Sequence, residues 1–173
     1  MNKVRLILDN DMHMDIELYK EYAPITVDNF MNLVKNKYYD NIVFHRIIKG
    51  FMAQVGGYYL DEEKKELSLS KKVPSIKGEF KSNGVNNTLL HKKGVISMAR
   101  TMVKDSASSQ IFICTADSPH LDNEYAAFGK VVDDKESLKT LDYLDNVETV
   151  NVGGGLTDFP YPPVRIKTIE ILD

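Results

Sequence analysis

Only two stretches of this chain carry the apolar period of a helix. Nearly every other apolar segment is short and alternates in twos, without the regular strand–helix succession of a parallel sheet. "VRLIL" and "MDIEL" come first, with Asp9-Asn10-Asp11 as turn residues between them. In the second, Met14, Ile16 and Leu18 alternate with Asp15 and Glu17, so one face is buried. Further strands are predicted at "VFHRII", after Gly50, and at "GVISMA", "QIFICT", "AAFGKVV" and "PVRIKTIEIL". The last changes parity near Lys167-Thr168, which predicts a bulge.

The first helical period follows Pro24, with Thr26 as the expected N-cap. Val27, Phe30, Met31 and Val34 form one face, and Asn36 or Lys37 ends it. The second is "KESLKTLDYLD", with Leu138, Leu141 and Leu144 as the expected buried stripe. Residues 58–77 are charge-dense and read as an exposed excursion with a helical turn; "NGVNNTLLHKKG" and "GGGLTDFPYPP" read as loops. About eight strands and two helices make a mainly β protein. The economical architecture is an antiparallel β-barrel capped by the two α-helices, in a single domain spanning residues 1–173.

Lys and Arg number 22 against 25 Asp and Glu, a net charge of −3, which excludes nucleic-acid binding by bulk charge. The single cysteine, Cys114, forms no internal disulfide, fits a reducing cytoplasm, and reads as a small core residue. The opening "MNKVRLILDNDMHMDIEL" lacks the long apolar run of a signal peptide, and no apolar stretch approaches the ~20 residues of a membrane span. The expectation is a cytoplasmic protein without a membrane partner.

The usual catalytic signatures are missing. His13, His45, His91 and His120 are far apart and show no metal-ligand spacing. "DSASSQ" is serine-rich without the nucleophile elbow, and the glycines at 153–155 lack the lysine of a phosphate loop. No metal or cofactor is expected. What stands out is "VFHRIIKGFMAQ", a strand segment carrying a permanent cation. Regular alternation puts Arg46 on the face opposite His45 and Ile47, and Met52 with Gln54 on one face. Gln110 and Phe112 likewise share a face, opposite Ile111 and Ile113. If these strands adjoin, they make a shallow apolar groove with two amides and one guanidinium; pattern alone equally allows a solvated barrel exterior.

"VFHRIIKGFMAQ", "GVISMAR" and "SSQIFICTADSPHLDNEYAAFGKV" resemble, in order and spacing, the cyclophilin family of peptidyl-prolyl isomerases, and the bacterial members more than the animal ones. "APITVDNF" and "SIKGEF" extend the resemblance over most of the chain. It implies an eight-stranded antiparallel barrel closed by two helices, and isomerisation of X-Pro bonds in the service of protein folding. Arg46 matches the catalytic arginine. Phe51, Met52, Phe112, Leu121 and Tyr125 match the proline pocket. Gln54, Ala99, Arg100, Thr101 and Gln110 match the group that holds the peptide backbone, with His120 on the groove rim. Four positions depart from the usual pattern: Ile111 for phenylalanine, Arg100 for asparagine, Tyr125 for the histidine of many members, and His120 for the tryptophan tied to tight cyclosporin binding; the charged 58–77 excursion also replaces a glycine-rich segment. The implied partners are proline-containing segments of client proteins, with cyclosporin binding weakened, and the implied state is a monomer. The alternative is a binding module of the same fold with little turnover; Arg46 beside an intact Phe51-Met52-Gln54 set favours the enzyme.

Overall fold

The computed structural model describes residues 2–172; Met1 and Asp173, the ends of the expected domain span, lie outside it. Strands β1 (Asn2–Leu8) and β2 (His13–Leu18) pair antiparallel across the Asp9–Asp11 turn, where Asp11 adopts φ 68°. Next come β3 (Val43–Ile48), β4 (Met52–Asp61), β5 (Glu66–Leu69), β6 (Val95–Met98), β7 (Ile111–Cys114), β8 (Ala127–Val131) and, after a short β9–β10 pair (Thr149–Val150 and Phe159–Pro160), β11 (Ile166–Ile171). Eight of them form one antiparallel path, β11-β1-β2-β8-β6-β7-β4-β3. The path curls until its edges meet. Val43 bridges Arg165, and the Phe44 N–H donates to the Val164 carbonyl at 2.9 Å. The mainly β, antiparallel, barrel-like sheet predicted from alternation is therefore present.

The inner face is apolar because alternate residues of every strand supply it: Val4, Leu6 and Leu8; Met14, Ile16 and Leu18; Ile111 and Ile113, with Phe128 between them and the first helix. The parity change in β11 is a bulge. Ile7 faces Thr168 while Leu8 faces Ile166, which leaves Lys167 extra and keeps both Ile166 and Ile169 inside.

Helix α1 (Pro24–Lys35) covers one end of the barrel with Val27, Phe30, Met31 and Val34, and stops at Asn36 before Lys37 turns left-handed at φ 58°. Its N-cap is Ala23, not Thr26. Thr26 lies inside the first turn and is fully buried, and both its N–H and its hydroxyl donate to one oxygen of Glu79, at 2.6 and 2.7 Å. A carboxylate from a distant loop thus satisfies the helix start, as the helix dipole favours.

Helix α2 (Lys135–Asn146) begins at Asp134, whose carboxylate accepts from the Ser137 N–H at 2.8 Å. Its buried stripe is Ser137, Thr140, Leu141 and Leu144, at i, i+3, i+4 and i+7; Leu138 is 38% exposed. Two hydroxyls occupy the buried face because β2 offers main-chain partners there. The Asp15 N–H donates to Ser137 Oγ at 2.9 Å, and Thr140 Oγ1 donates to the His13 carbonyl at 2.7 Å.

Residues 58–69 are not an open excursion with a helical turn. β4 runs on to Asp61 and folds back as β5 through a turn in which Lys65 has φ 54°, with Asp61 accepting from the Glu63 and Lys64 N–H groups. Most side chains of this arm are half-buried or exposed, so no clean alternation marks it.

β3 carries a departure with consequences for the site. Phe44 pairs with Val55 and Arg46 with Gln54, so His45 is an extra residue in a bulge. Phe44 and Ile47 both enter the core, and His45 does not join Ile47 there; its ring lies 4.7 Å from that of Tyr58. Regular alternation, which set His45 and Ile47 together on one face, is broken at this point.

Candidate active site

The bulge leaves Arg46 exposed at the end of a lateral row. Arg46 faces Gln54, Gln54 faces Phe112, and Phe112 faces Ser97, across β3, β4, β7 and β6. Two residues along the strands, on the same face, Ile48 faces Met52 and Met52 faces Cys114. Met52, Phe112, Cys114 and Leu121 form a second apolar cluster on the outer side of the sheet, separate from the main core. Cys114 is therefore buried, but within this outer cluster and not in the main core. Burial pushes its thiol up to about 12.

Gly50, at φ 73°, makes the bend between β3 and β4, held by a 2.9 Å bond from its N–H to Asp145. Phe51 follows, against the cluster. The 3₁₀ turn Pro119–Leu121 supplies Leu121, and the next turn supplies Tyr125, whose ring meets Phe112 edge-on at 5.8 Å and 85°.

Nine residues line one cavity of about 170 Å³: Arg46, Phe51, Met52, Gln54, Ala99, Arg100, Phe112, Leu121 and Tyr125. All nine were singled out by sequence. A second cavity of about 250 Å³ shares Gln54, Ala99 and Arg100 and adds Thr101, Gln110, Ser106 and Ser108. His120 lines neither; its ring lies 5.4 Å from Phe51, on the rim. A larger groove, of about 590 Å³, lies between the β4–β5 arm and Val150, Val152 and Phe159, and contains none of these residues.

The polar groups are linked. Arg46 Nη1 donates to Gln54 Oε1 at 3.4 Å, and Gln54 Nε2 donates to Gln110 Oε1 at 2.8 Å. Gln110 sits this close because Gly56 and Gly57 stand opposite it. A Cβ on Gly57 would fall 2.5 Å from Gln110 Nε2, and one on Gly56 would fall 2.5 Å from the Ser109 carbonyl. Thr101 donates to Ser106 Oγ through both its N–H and its hydroxyl, each at 2.9 Å, which shapes the second cavity's wall. Sequence reasoning weighed the serine-rich run only as a nucleophile and so passed over Ser106 and Ser108.

It also passed over His91, which stands behind the pocket. Asp122 accepts from the His91 main-chain N–H at 2.6 Å and lies 3.0 Å from Nδ1, and Ser97 Oγ lies 2.9 Å from Nε2. The imidazole stacks on Phe112 at 6.0 Å and 15°. Serine, histidine and aspartate in this order suggest a nucleophilic triad. Ser97 is fully buried, however, so no substrate can reach it, and the trio is a strut between β6, Phe112 and the turn carrying Leu121. Burial lowers the His91 pKa against the opposing pull of Asp122. His45 is pushed down to about 4, by burial first and by the Arg46 charge second. Both shifts favour the uncharged imidazole, and Arg46 and Arg100 bring permanent charge to the groove.

An apolar pocket, an adjoining hydrogen-bonding strip and one exposed guanidinium can hold a short extended peptide and offer a donor to it. Comparison with known proteins agrees. The family model described as cyclophilin type peptidyl-prolyl cis-trans isomerase/CLD matches residues 3–171. A peptidyl-prolyl cis-trans isomerase A from Dickeya dadantii is 38% identical over 165 residues, covering 92% of this chain and 80% of that one. A peptidyl-prolyl cis-trans isomerase from Acinetobacter baylyi is 38% identical over 164 residues, with the same coverage. The crystal structure of a cyclophilin type isomerase from Cryptosporidium parvum superposes with a TM-score of 0.79 at 27% identity, over 99% of this chain and 98% of that one. That protein was also crystallised in the presence of the dipeptide Ala-Pro, with a TM-score of 0.76 at 28% identity. Matched along nearly its whole length by family model, sequence and fold, the chain belongs to the cyclophilin-type peptidyl-prolyl cis-trans isomerases.

Proposed function

We propose that this chain, as a single isomerase domain, catalyses rotation about X-Pro bonds in exposed segments of client proteins, with Arg46 as the transition-state donor. The observation that carries this reading is the exposed Arg46 side chain lining a cavity that Met52 and Phe112 also line.

Rotation about an X-Pro bond meets a barrier of about 18–20 kcal/mol, because the amide nitrogen shares its lone pair with the carbonyl. At a right angle of twist that sharing ends and the nitrogen becomes a hydrogen-bond acceptor. A donor aimed there binds the twisted amide and has little to bind in the planar one, which is differential transition-state binding. Arginine suits the role: it is always protonated, and its donors lie in a rigid planar fork. No bond breaks, so neither nucleophile, metal nor cofactor is required. The apolar pocket anchors the proline ring. Gln54, Gln110 and the main chain at Ala99–Thr101 hold the flanking backbone while the acyl side turns about it.

The same reading makes the clients proline-containing segments of other proteins, engaged during folding by a monomer in the cytoplasm. The lone buried thiol at Cys114 is in keeping with that compartment. Among the described residues no helix is long and apolar enough to cross a membrane. Cyclosporin is a weak ligand in this reading, because His120 offers less apolar area than an indole.

The test is a protease-coupled isomerase assay on the purified chain with an Ala-Pro test peptide. Saturable acceleration is expected. Exchange at the uncatalysed rate, with the peptide bound, would replace the enzyme by a proline-binding module.

A further inference from the structure

The Arg100 side chain is held by carbonyls of its own chain. It follows β6 and folds back between two rings, its guanidinium carbon 4.8 Å from the Phe80 centroid and 4.7 Å from that of Tyr125. Its edges are used as well. Nε and Nη2 both donate to the Glu124 carbonyl, at 3.0 and 2.7 Å, and Nη1 donates to the Thr101 carbonyl at 3.0 Å. The side chain is only 11% exposed, with the Glu124 carboxylate 3.9 Å away. Ser82 donates to that carboxylate at 2.9 Å. Arg100 also contributes to the walls of both cavities, so it forms part of the partition between them.

Two of these contacts, with Tyr125 and with the Thr101 carbonyl, land on residues that line the two cavities. Tyr125 is a wall of the proline pocket and packs on Phe112. Thr101 and Arg100 belong to the main-chain strip assigned to the peptide backbone. Phe80, 1% exposed, is anchored in the main core and gives the stack a fixed side. Two flat faces and a row of edge donors are needed at once, which a guanidinium has and an ammonium lacks.

We propose that Arg100 is a positioning residue of the isomerase, acting through Tyr125 and through the main chain at 99–101. This rests on the functional reading above. Arg100 is directed at carbonyls of its own chain rather than at the amide that twists. Its loss therefore weakens the seating of the peptide and leaves the rotation of a seated peptide alone.

The experiment uses the full chain and an Ala-Pro test peptide, with Kd from NMR titration and the cis–trans exchange rate measured on saturated enzyme. Arg100→Ala is expected to weaken Kd about tenfold, the order of a stacked cation with its hydrogen bonds, and to leave the saturated exchange rate within about twofold. In a Tyr125→Ala background the same substitution is expected to change Kd much less, because neighbours coupled through one contact are not additive. A merely structural role would lower the active fraction at unchanged Kd, and that result overturns the proposal. So does an unchanged Kd in folded Arg100→Ala, or losses that multiply in the double variant. If Arg100→Ala does not fold, Arg100→Lys, which keeps charge and stem without the planar fork, is read in the same way: weakened Kd at unchanged exchange supports the proposal, and parental Kd overturns it. Kd is measured without turnover, so a parent chain that bound peptide but did not isomerise it would defeat the functional reading and not this one.

Discussion

Arg46 and Gln54 stand directly opposite each other across β3 and β4, with Arg46 Nη1 3.4 Å from Gln54 Oε1. That is a long contact for a charged donor, and the remaining Arg46 side-chain donors have no hydrogen-bond partner among the described residues, so the guanidinium is lightly held.

Arg46→Ala is expected to lower kcat/KM by about 10²–10³, the ordinary cost of one transition-state donor, in the protease-coupled assay. Because Arg46 is exposed, its thermal unfolding should shift by no more than about 0.5 kcal/mol from the parent. A variant as fast as the parent would sink the mechanism.

His45 makes stability depend on pH. Its folded-state pKa is pushed down to about 4, below the unfolded value near 6.5, so between these limits the unfolded chain binds more protons. Stability therefore rises with pH through that window and is lost as pH falls from about 6.5 to about 4, with a slope of up to about 1.4 kcal/mol per unit. Denaturant midpoints of the parent and of His45→Gln across this range check the point, and the variant's profile should be flatter. Activity should show no imidazole titration above pH 7. A bell centred on a histidine pKa would instead restore acid–base chemistry to the site.

His120→Trp should tighten cyclosporin. The imidazole lies on the rim, 5.4 Å from Phe51, and an indole there adds apolar area and an N–H donor. The measurement is a calorimetric titration of both proteins; equal affinities would count against the assignment of this rim position.

Cys114 should be inert while the chain is folded. It is fully buried and its thiol is pushed up to about 12, so almost no thiolate exists at pH 8. Alkylation followed by mass spectrometry should show reaction in denaturant and little without it. Rapid labelling of the native protein would mean that the outer cluster opens.

Period-two alternation was enough to locate the barrel strands, and i, i+3, i+4, i+7 spacing the two helices, because both patterns record which face is dry. The parity change at Lys167 was legible for the same reason. The bulge at His45 was not, because a bulge is visible only against its partner strand. On a regular β3, keeping Phe44 inside would turn Arg46 inward and Ile47 outward. The β4–β5 arm was hidden because both its faces meet water. Thr26 looked like a cap because Glu79, its true partner, lies 53 positions away in the chain. Nine pocket residues could be listed in advance because they lie in three continuous segments. His91 could not, since Asp122 and Ser97 reach it from positions 31 and 6 residues distant.

The lateral row turns the spacing of the sheet into a ruler. Arg46 and Phe112 sit on strands separated by β4 alone, so the guanidinium and the pocket floor are two strand intervals apart, roughly 9–10 Å at about 4.7–4.9 Å each. In the reading proposed above both groups act on one residue, the ring of a proline over Phe112 and its nitrogen toward Arg46, so that interval is the space allotted to a single prolyl residue. A site gauged to one proline would select clients by exposure of the backbone more than by sequence, and lengthening a good tetrapeptide should add little to kcat/KM.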